Sequence, residues 1–217
     1  MRPSEADNDR RELAPDVTVV IPAFNLQNYL QAAVESVLRQ TYPGKSSIII
    51  LDDGSRDGTL AVAQAIAGRT PSVTVVTQSN QGRVGTRNRL LELAPTELVG
   101  WLDGDDIAAP DWLADQIELL TSDKALVAVS GQGYAMTADA LPIGPIDAHP
   151  LTSDEIVQRH LEGHANAFFQ SCVVVRKSAV LRAGGYRDKY PAGEDYDLWL
   201  RLAGDGRLAN VDKCHLL

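Results

Sequence analysis

Short uninterrupted apolar runs and helical stripes alternate along the first half of this chain. Val17-Thr18-Val19-Val20-Ile21 and Ser47-Ile48-Ile49-Ile50-Leu51 have strand length and lack strict alternation, the pattern of strands covered on both faces. Between them Tyr29, Leu30, Ala33, Val34, Val37 and Leu38 recur at helical spacing. Pro22 is read as the end of the first strand, and Tyr42-Pro43-Gly44 as the break after the first helix. The alternation continues with a helix carrying Leu60, Ala63, Ile66 and Ala67, which Asp57 is placed to cap. A strand over 73–76, a helix over 84–94 and a strand at Val99-Gly100-Trp101-Leu102 follow. Strands alternating with helices predict a parallel sheet with right-handed crossovers, in which ligands bind beyond the carboxyl ends of the strands.

The second half is less regular. Trp112, Leu113, Gln116, Ile117 and Leu120 mark a helix after Pro110, and a strand is expected over 126–129. Residues 131–150, rich in Gly, Ala, Pro and Asp, are long for a plain connection and read as a functional lid or a variable insertion. A helix over 152–161 is capped by Thr152 or Ser153, and the run 168–175 reads as a strand. A short helix from Ser178 ends at Gly184-Gly185, and Glu194-Asp195-Tyr196-Asp197 opens a final amphipathic helix. Residues 1–15 carry almost nothing apolar and read as a flexible lead-in.

Composition narrows the class. The 217 residues suffice for one α/β domain, or that domain with a small addition. The net charge of −9 argues against a nucleic-acid partner but leaves room for an anionic ligand that arrives with a metal cation. Cys172 and Cys214 have no ligand-spaced neighbours and read as reduced thiols. No stretch approaches the roughly 20 apolar residues of a membrane span, and the charged N-terminus lacks a signal-peptide core. A cytoplasmic protein with no membrane span is therefore expected.

Candidate chemistry gathers where the strands end. Leu102-Asp103-Gly104-Asp105-Asp106 closes the fourth strand and Asp52-Asp53-Gly54 the second. Such carboxylate clusters repel themselves unless a cation or solvent screens them, and their hard oxygen ligands suit Mg²⁺ or Mn²⁺. Gly104 removes the side chain between Asp103 and Asp105, letting both address one point. A solvated strand-to-loop junction is the plain alternative. A parallel sheet brings both acidic groups to one crevice, which favours the metal reading.

These residues carry a resemblance. The chain resembles the family 2 glycosyltransferases of GT-A fold. The resemblance lies in Val19-Val20-Ile21-Pro22-Ala23-Phe24-Asn25, Asp52-Asp53-Gly54-Ser55 with Asp57-Gly58-Thr59, and Asn80-Gln81-Gly82 with Arg87-Asn88. It continues in Leu102-Asp103-Gly104-Asp105-Asp106, Gly184-Gly185-Tyr186 and Glu194-Asp195-Tyr196-Asp197-Leu198-Trp199-Leu200-Arg201. It implies a GT-A type α/β fold, a Rossmann-like mostly parallel sheet flanked by helices with a smaller acceptor-side region. Residues 16–122 would form the nucleotide-sugar-binding half and 123–217 the acceptor-binding and catalytic half. The implied activity is inverting, Mn²⁺- or Mg²⁺-dependent transfer of a sugar from a nucleoside-diphosphate donor, UDP first among them. The acceptor would be a glycan or lipid-linked molecule, with peripheral association at the inner face of the membrane.

By the same resemblance Pro22, Ala23, Asn25 and Asp53 would line the nucleotide pocket, Asp53 facing the base. Asp103 would contact the ribose or lie beside the metal, and Asp105 would bind the metal. Arg87 would reach the nucleotide or a structural carboxylate. Asp195, with Glu194 second, would take the proton of the acceptor hydroxyl; helix capping is the alternative for both. Tyr196 and Trp199 read as core, and His149 and His164 as incidental. Many members continue into an aromatic-Arg-X-His segment that touches the metal or phosphates. This chain closes on Lys213-Cys214-His215-Leu216-Leu217 without one, so a fragment or a missing contribution is implied, and His215 is not read as its substitute.

Rival readings are weaker on the same residues. Phosphotransferases using Asp-X-Asp carry it on the first strand with the first Asp as nucleophile, whereas here it follows the fourth. A dinucleotide dehydrogenase lacks its Gly-X-Gly-X-X-Gly after strand one. A non-catalytic sugar-nucleotide-binding domain, or an incomplete piece of a longer transferase, is the remaining alternative.

Overall fold

In the computed structural model, which describes residues 14–137, 141–146, 148–163, 167–190 and 192–217, the strands of the first half lie parallel. They are β1 (Val17–Ala23), β2 (Ser46–Asp52), β3 (Val73–Thr77) and β4 (Leu98–Trp101), in the spatial order β3-β2-β1-β4. The lead-in 1–13 and His164 lie outside the described residues. Because successive strand residues face opposite sides, Val19, Ile21, Ile48 and Ile50 join one core layer while Val20, Ile49 and Leu51 join the other. Residues of α1 (Leu30–Leu38), α2 (Thr59–Ala67) and α4 (Trp112–Ser122) cover the first face, and those of α3 (Gly82–Leu93) the second. This two-sided cover is why the strands read as unbroken apolar runs.

Pro22 does not end β1, which continues to Ala23 with Pro22 opposite Leu51. Residues of β1 that face β4 alternate, as the Leu102 amide donating to the Val20 carbonyl shows, and pairing with β4 stops at Val20. The missing proline N–H therefore points where no ladder partner remains.

The second half extends the same sheet. β7 (Val173–Arg176) pairs antiparallel with β4, β5 (Leu126–Met136) antiparallel with β7, and β8 (Arg207–Leu216) parallel with β5. Two expectations are corrected here, and one further strand appears. The irregular region begins as sheet: β5 runs on to Met136 and pairs with β6 (Pro142–Pro145). The strand expected over 168–175 starts only at Val173, because Phe168 is buried edge-on against Trp199 and Cys172 turns the chain at φ 54°. β8 was not expected at all, since its Asp212-Lys213 stretch is polar and exposed; it is held by β5 and by an Ala108–Leu216 bridge. The remaining helices are α5 (Ser153–Leu161), capped by a Thr152/Glu155 capping box, α6 (Lys177–Arg182) and α7 (Glu194–Leu202).

Gln116 joins α4 to β7 and β8. Its Oε1 accepts from Trp112 Nε1 (3.1 Å) and the Val174 amide (3.0 Å), and its Nε2 donates to the Cys172 carbonyl (2.9 Å). Since Nε2 also faces His215 Nδ1 at 3.0 Å, that ring nitrogen accepts, and His215 Nε2–H donates to Asp115 (3.1 Å). Gln116→Leu strands these buried partners and is expected to cost roughly 3–5 kcal/mol in denaturant unfolding. A loss below about 1 kcal/mol would show that relaxation or water satisfies them.

Candidate active site

The carboxyl ends of β1, β2 and β4 meet the start of α3 and the start of α7 around a cleft of about 650 Å³. β7 runs the opposite way, so the residues before it come to this same edge. Ser171 Oγ accepts from the Asp103 amide (3.1 Å), and Gln170 lines the cleft. Pro22, Ala23, Asp53, Arg87, Asp103, Asp105, Glu194 and Asp195 all line it. Asn25 does not; its φ of 56° turns it outward, and its side-chain carbonyl accepts from the Arg56 amide (2.9 Å).

The acidic residues divide by the alternation of the chain. Asp52 is buried away from the cleft, where Thr77 Oγ1 donates to it (3.1 Å). Asp53 receives the Gln81 amide (2.7 Å), the Gly82 amide (3.0 Å) and Gln78 Nε2 (2.8 Å), so it caps α3 from a neighbouring strand. Gly104 lies flat against β1: a Cβ there would meet Leu26 Cδ1 at 2.9 Å and the Pro22 carbonyl at 3.2 Å. That close approach sets Asp103 and Asp105 at the cleft wall. Burial raises the pKa of Asp103, opposed by Arg87 and reinforced by the Asp105 charge. Asp106 turns to the other side, and burial pushes it up to about 7, with the Ser171 hydroxyl opposing and the Asp103 and Asp105 charges adding to the rise. Asp105 and Asp106 also border a second cleft of about 550 Å³, walled by Tyr29, Tyr134, Met136 and Ile146.

Opposite the acids stands a network spelled out by α7. Glu194 is 1% exposed and its Oε1 accepts from Arg87 Nη1 at 2.5 Å and from the exposed Arg83 at 3.3 Å. Arg87 Nη2 is 3.6 Å from Asp103 Oδ1, and Arg87 also lines the cleft. Asp195 faces the cleft, its Oδ1 accepting from the Tyr196 amide (2.8 Å). Asp197 pairs with Arg187 and Arg201, and Arg201 also donates to the Gly185 carbonyl (2.7 Å). Gly185, at φ 67°, sits where a Cβ would meet Asn88 Oδ1 at 2.6 Å. Asn88 grips the amide and carbonyl of Tyr186 there (2.9 Å each), setting the Tyr186 ring 5.6 Å from the Arg87 guanidinium. Tyr196 and Trp199 belong to packing: Tyr196 donates to the His160 carbonyl and Trp199 is fully buried. His149 packs on Phe169 and burial holds it neutral, down to about 4.

A model of the family described as Glycosyl transferase family 2 matches residues 18–182. The chain belongs to this family. Among family relatives, a chondroitin synthase of Pasteurella multocida is 29% identical over 92% of this chain and 20% of its own length. The chain thus spans about a fifth of that relative. A protein described as a teichuronic acid biosynthesis glycosyltransferase, TuaG of Bacillus subtilis, is 33% identical over 69% of this chain and 60% of its own. Among solved structures, S. aureus TarS 1-349 in complex with UDP superposes with TM-score 0.73 at 18% identity, covering 93% of this chain and 59% of that one. Mannosyltransferase PcManGT from Pyrobaculum calidifontis, in complex with GDP-Man and Mn²⁺, gives 0.66 at 20% identity, covering 94% and 58%. The fold is accordingly the mostly parallel α/β sheet of the GT-A type.

Two groups of side chains offer ligand atoms to a cation. Asp103 and Asp105 offer carboxylate oxygens at the open cleft, where burial raises the pKa of Asp103, the Asp105 charge adds to that rise, and a cation would offset both. Asp111, Asp115 and His215 hold ligand atoms within 4.8 Å of one another. Lys213 Nζ already stands 2.7 Å from Asp115 and 3.6 Å from Asp111, supplying that group's positive charge from the chain itself. The first group fits a resident metal better. No helix among the described residues is long and apolar enough to cross a membrane.

Sequence reading missed Arg83 and Gln170, both of which line the cleft. Arg83 lies four residues before Arg87 on α3, a spacing that marks a shared helix face. Gln170 had no local signal, because it reaches the cleft only through the reversed direction of β7.

Proposed function

We propose that this chain transfers a sugar from a nucleoside-diphosphate donor, UDP-linked, to a glycan or lipid-linked acceptor with inversion at the anomeric carbon. The observation that carries the reading is one cleft lined by Asp103, Asp105 and Asp195 together. Pro22, Ala23 and Asp53 at the ends of β1 and β2 supply the nucleotide side. UDP bound to TarS and GDP-Man with Mn²⁺ bound to PcManGT support this choice of ligand class.

Asp105, with Asp103, would hold a divalent cation whose chemistry is to offset the charge gathering on the departing diphosphate. Asp195 accepts the proton of the acceptor hydroxyl while that oxygen bonds to the anomeric carbon and the bond to the diphosphate breaks. UDP leaves, and the proton remains on Asp195 until solvent takes it. Glu194 is unsuited to that step, because it is buried and bound by Arg87.

Calorimetric titration with UDP, with and without Mn²⁺, and with GDP and ADP as comparators, tests the reading. Mn²⁺-dependent binding of UDP is expected. Folded protein that binds none of the three would overturn the donor site and favour the incomplete-piece alternative.

A further inference from the structure

The Arg87–Glu194 pair joins elements that the reaction needs to keep in register. We propose that Arg87 is a positioning residue: its ion pairs to Glu194 and Asp103 tie the base-side helix to the metal-side turn, setting Asp195 relative to Asp103. This rests on the assignment of Asp195 as the base.

The geometry separates such a strut from a ligand contact. Arg87 and Glu194 are 4% and 1% exposed where they line the cleft, whereas Asp103 keeps about a third of its side chain open and Asp195 is half-buried. One guanidinium reaches both carboxylates, Glu194 at 2.5 Å and Asp103 at 3.6 Å. Glu194 Oε2 has no protein donor among the described residues, so Arg87 and the solvent-exposed Arg83 are what hold this carboxylate. Glu194 opens α7 immediately before Asp195, so pinning its side chain sets the first turn from which Asp195 projects. Arg87 is itself steadied by the Tyr186 ring, which Asn88 clips through its backbone. The planar fork matters because a lysine ammonium is a point charge that cannot span the two carboxylates in the same way.

The test is Arg87→Lys, with release of UDP from UDP-GlcNAc measured with water as the acceptor. In that reaction the water oxygen bonds to the anomeric carbon, the bond to the diphosphate breaks and Asp195 takes the proton. The expected result is a folded variant whose kcat falls about 100-fold, the scale of a misplacement near 1 Å, while its KM for UDP-GlcNAc and its affinity for UDP stay within about threefold. Unchanged kcat, or a loss carried by KM with UDP affinity intact, would overturn the strut; the latter would make Arg87 a sugar contact. Should Arg87→Lys fail to fold, Glu194→Gln keeps shape and one hydrogen bond and is expected to lose about tenfold in kcat at unchanged KM. Unaltered kcat in that variant would overturn the proposal. Native chain that releases no UDP overturns the transferase reading and the strut with it. An inactive Asp195→Asn beside a fully active Arg87→Lys overturns the strut alone.

Discussion

Asp195→Asn should bind UDP and UDP-GlcNAc as the native chain does and release UDP 10²–10⁴-fold more slowly, on the order expected for loss of a general base. The substitution preserves shape, and its amide oxygen can still accept from the Tyr196 amide, as Asp195 Oδ1 does at 2.8 Å. The nucleotide pocket proposed at the ends of β1 and β2 is untouched. Parallel calorimetry and single-turnover release separate the two effects. Lost donor binding would show that Asp195 supports the nucleotide rather than the proton transfer, and a rate within about threefold of native would place the base elsewhere.

Asp105→Ala should remove the Mn²⁺ dependence of UDP binding, reducing the affinity measured with Mn²⁺ to that measured without it. Asp105 is an exposed carboxylate on the turn that Gly104 lays against β1. Its truncation leaves no buried group stranded, so the melting midpoint should move little, within the usual range of about 0.5 kcal/mol for surface substitutions. The same titration on Asp111→Ala provides the comparison, because Lys213 already neutralises that group. Mn²⁺-dependent binding that survives Asp105→Ala would remove Asp105 from the metal role.

The second wall of the site explains why its parts were unequally legible. Asp53 stood out as an acid at a strand end, yet its hydrogen bonds to the start of α3 connect residues far apart in the chain. Nothing local distinguishes such a cap from a ligand-facing carboxylate, since both favour acid after a strand. Glu194 and Asp195 are adjacent acids at a helix start, and either could serve as cap or base until burial separates them. Arg87 illustrates the same point: at helical spacing it fits a solvated face, and only the arrival of Asp103 and Glu194 makes it a buried cation.

The element order of the first half, the acid-bearing strand ends and the order of the family motifs were determined by the sequence alone. They depend on short-range regularities: two-sided apolar strands, helical stripes, and turns that Gly and Pro mark. Tertiary structure decided what those regularities cannot encode. β8 is polar along much of its length and becomes a strand because β5 offers it a ladder. Phe168 lies outside the expected strand, its ring buried edge-on against Trp199, and Cys172 turns the chain at φ 54° before the strand begins. The reversed run of β7 brings Gln170 and Ser171 to the site, and one guanidinium couples carboxylates from opposite halves of the chain. Each of these outcomes turns on the energy of contacts between distant segments, which packing sets and local pattern does not.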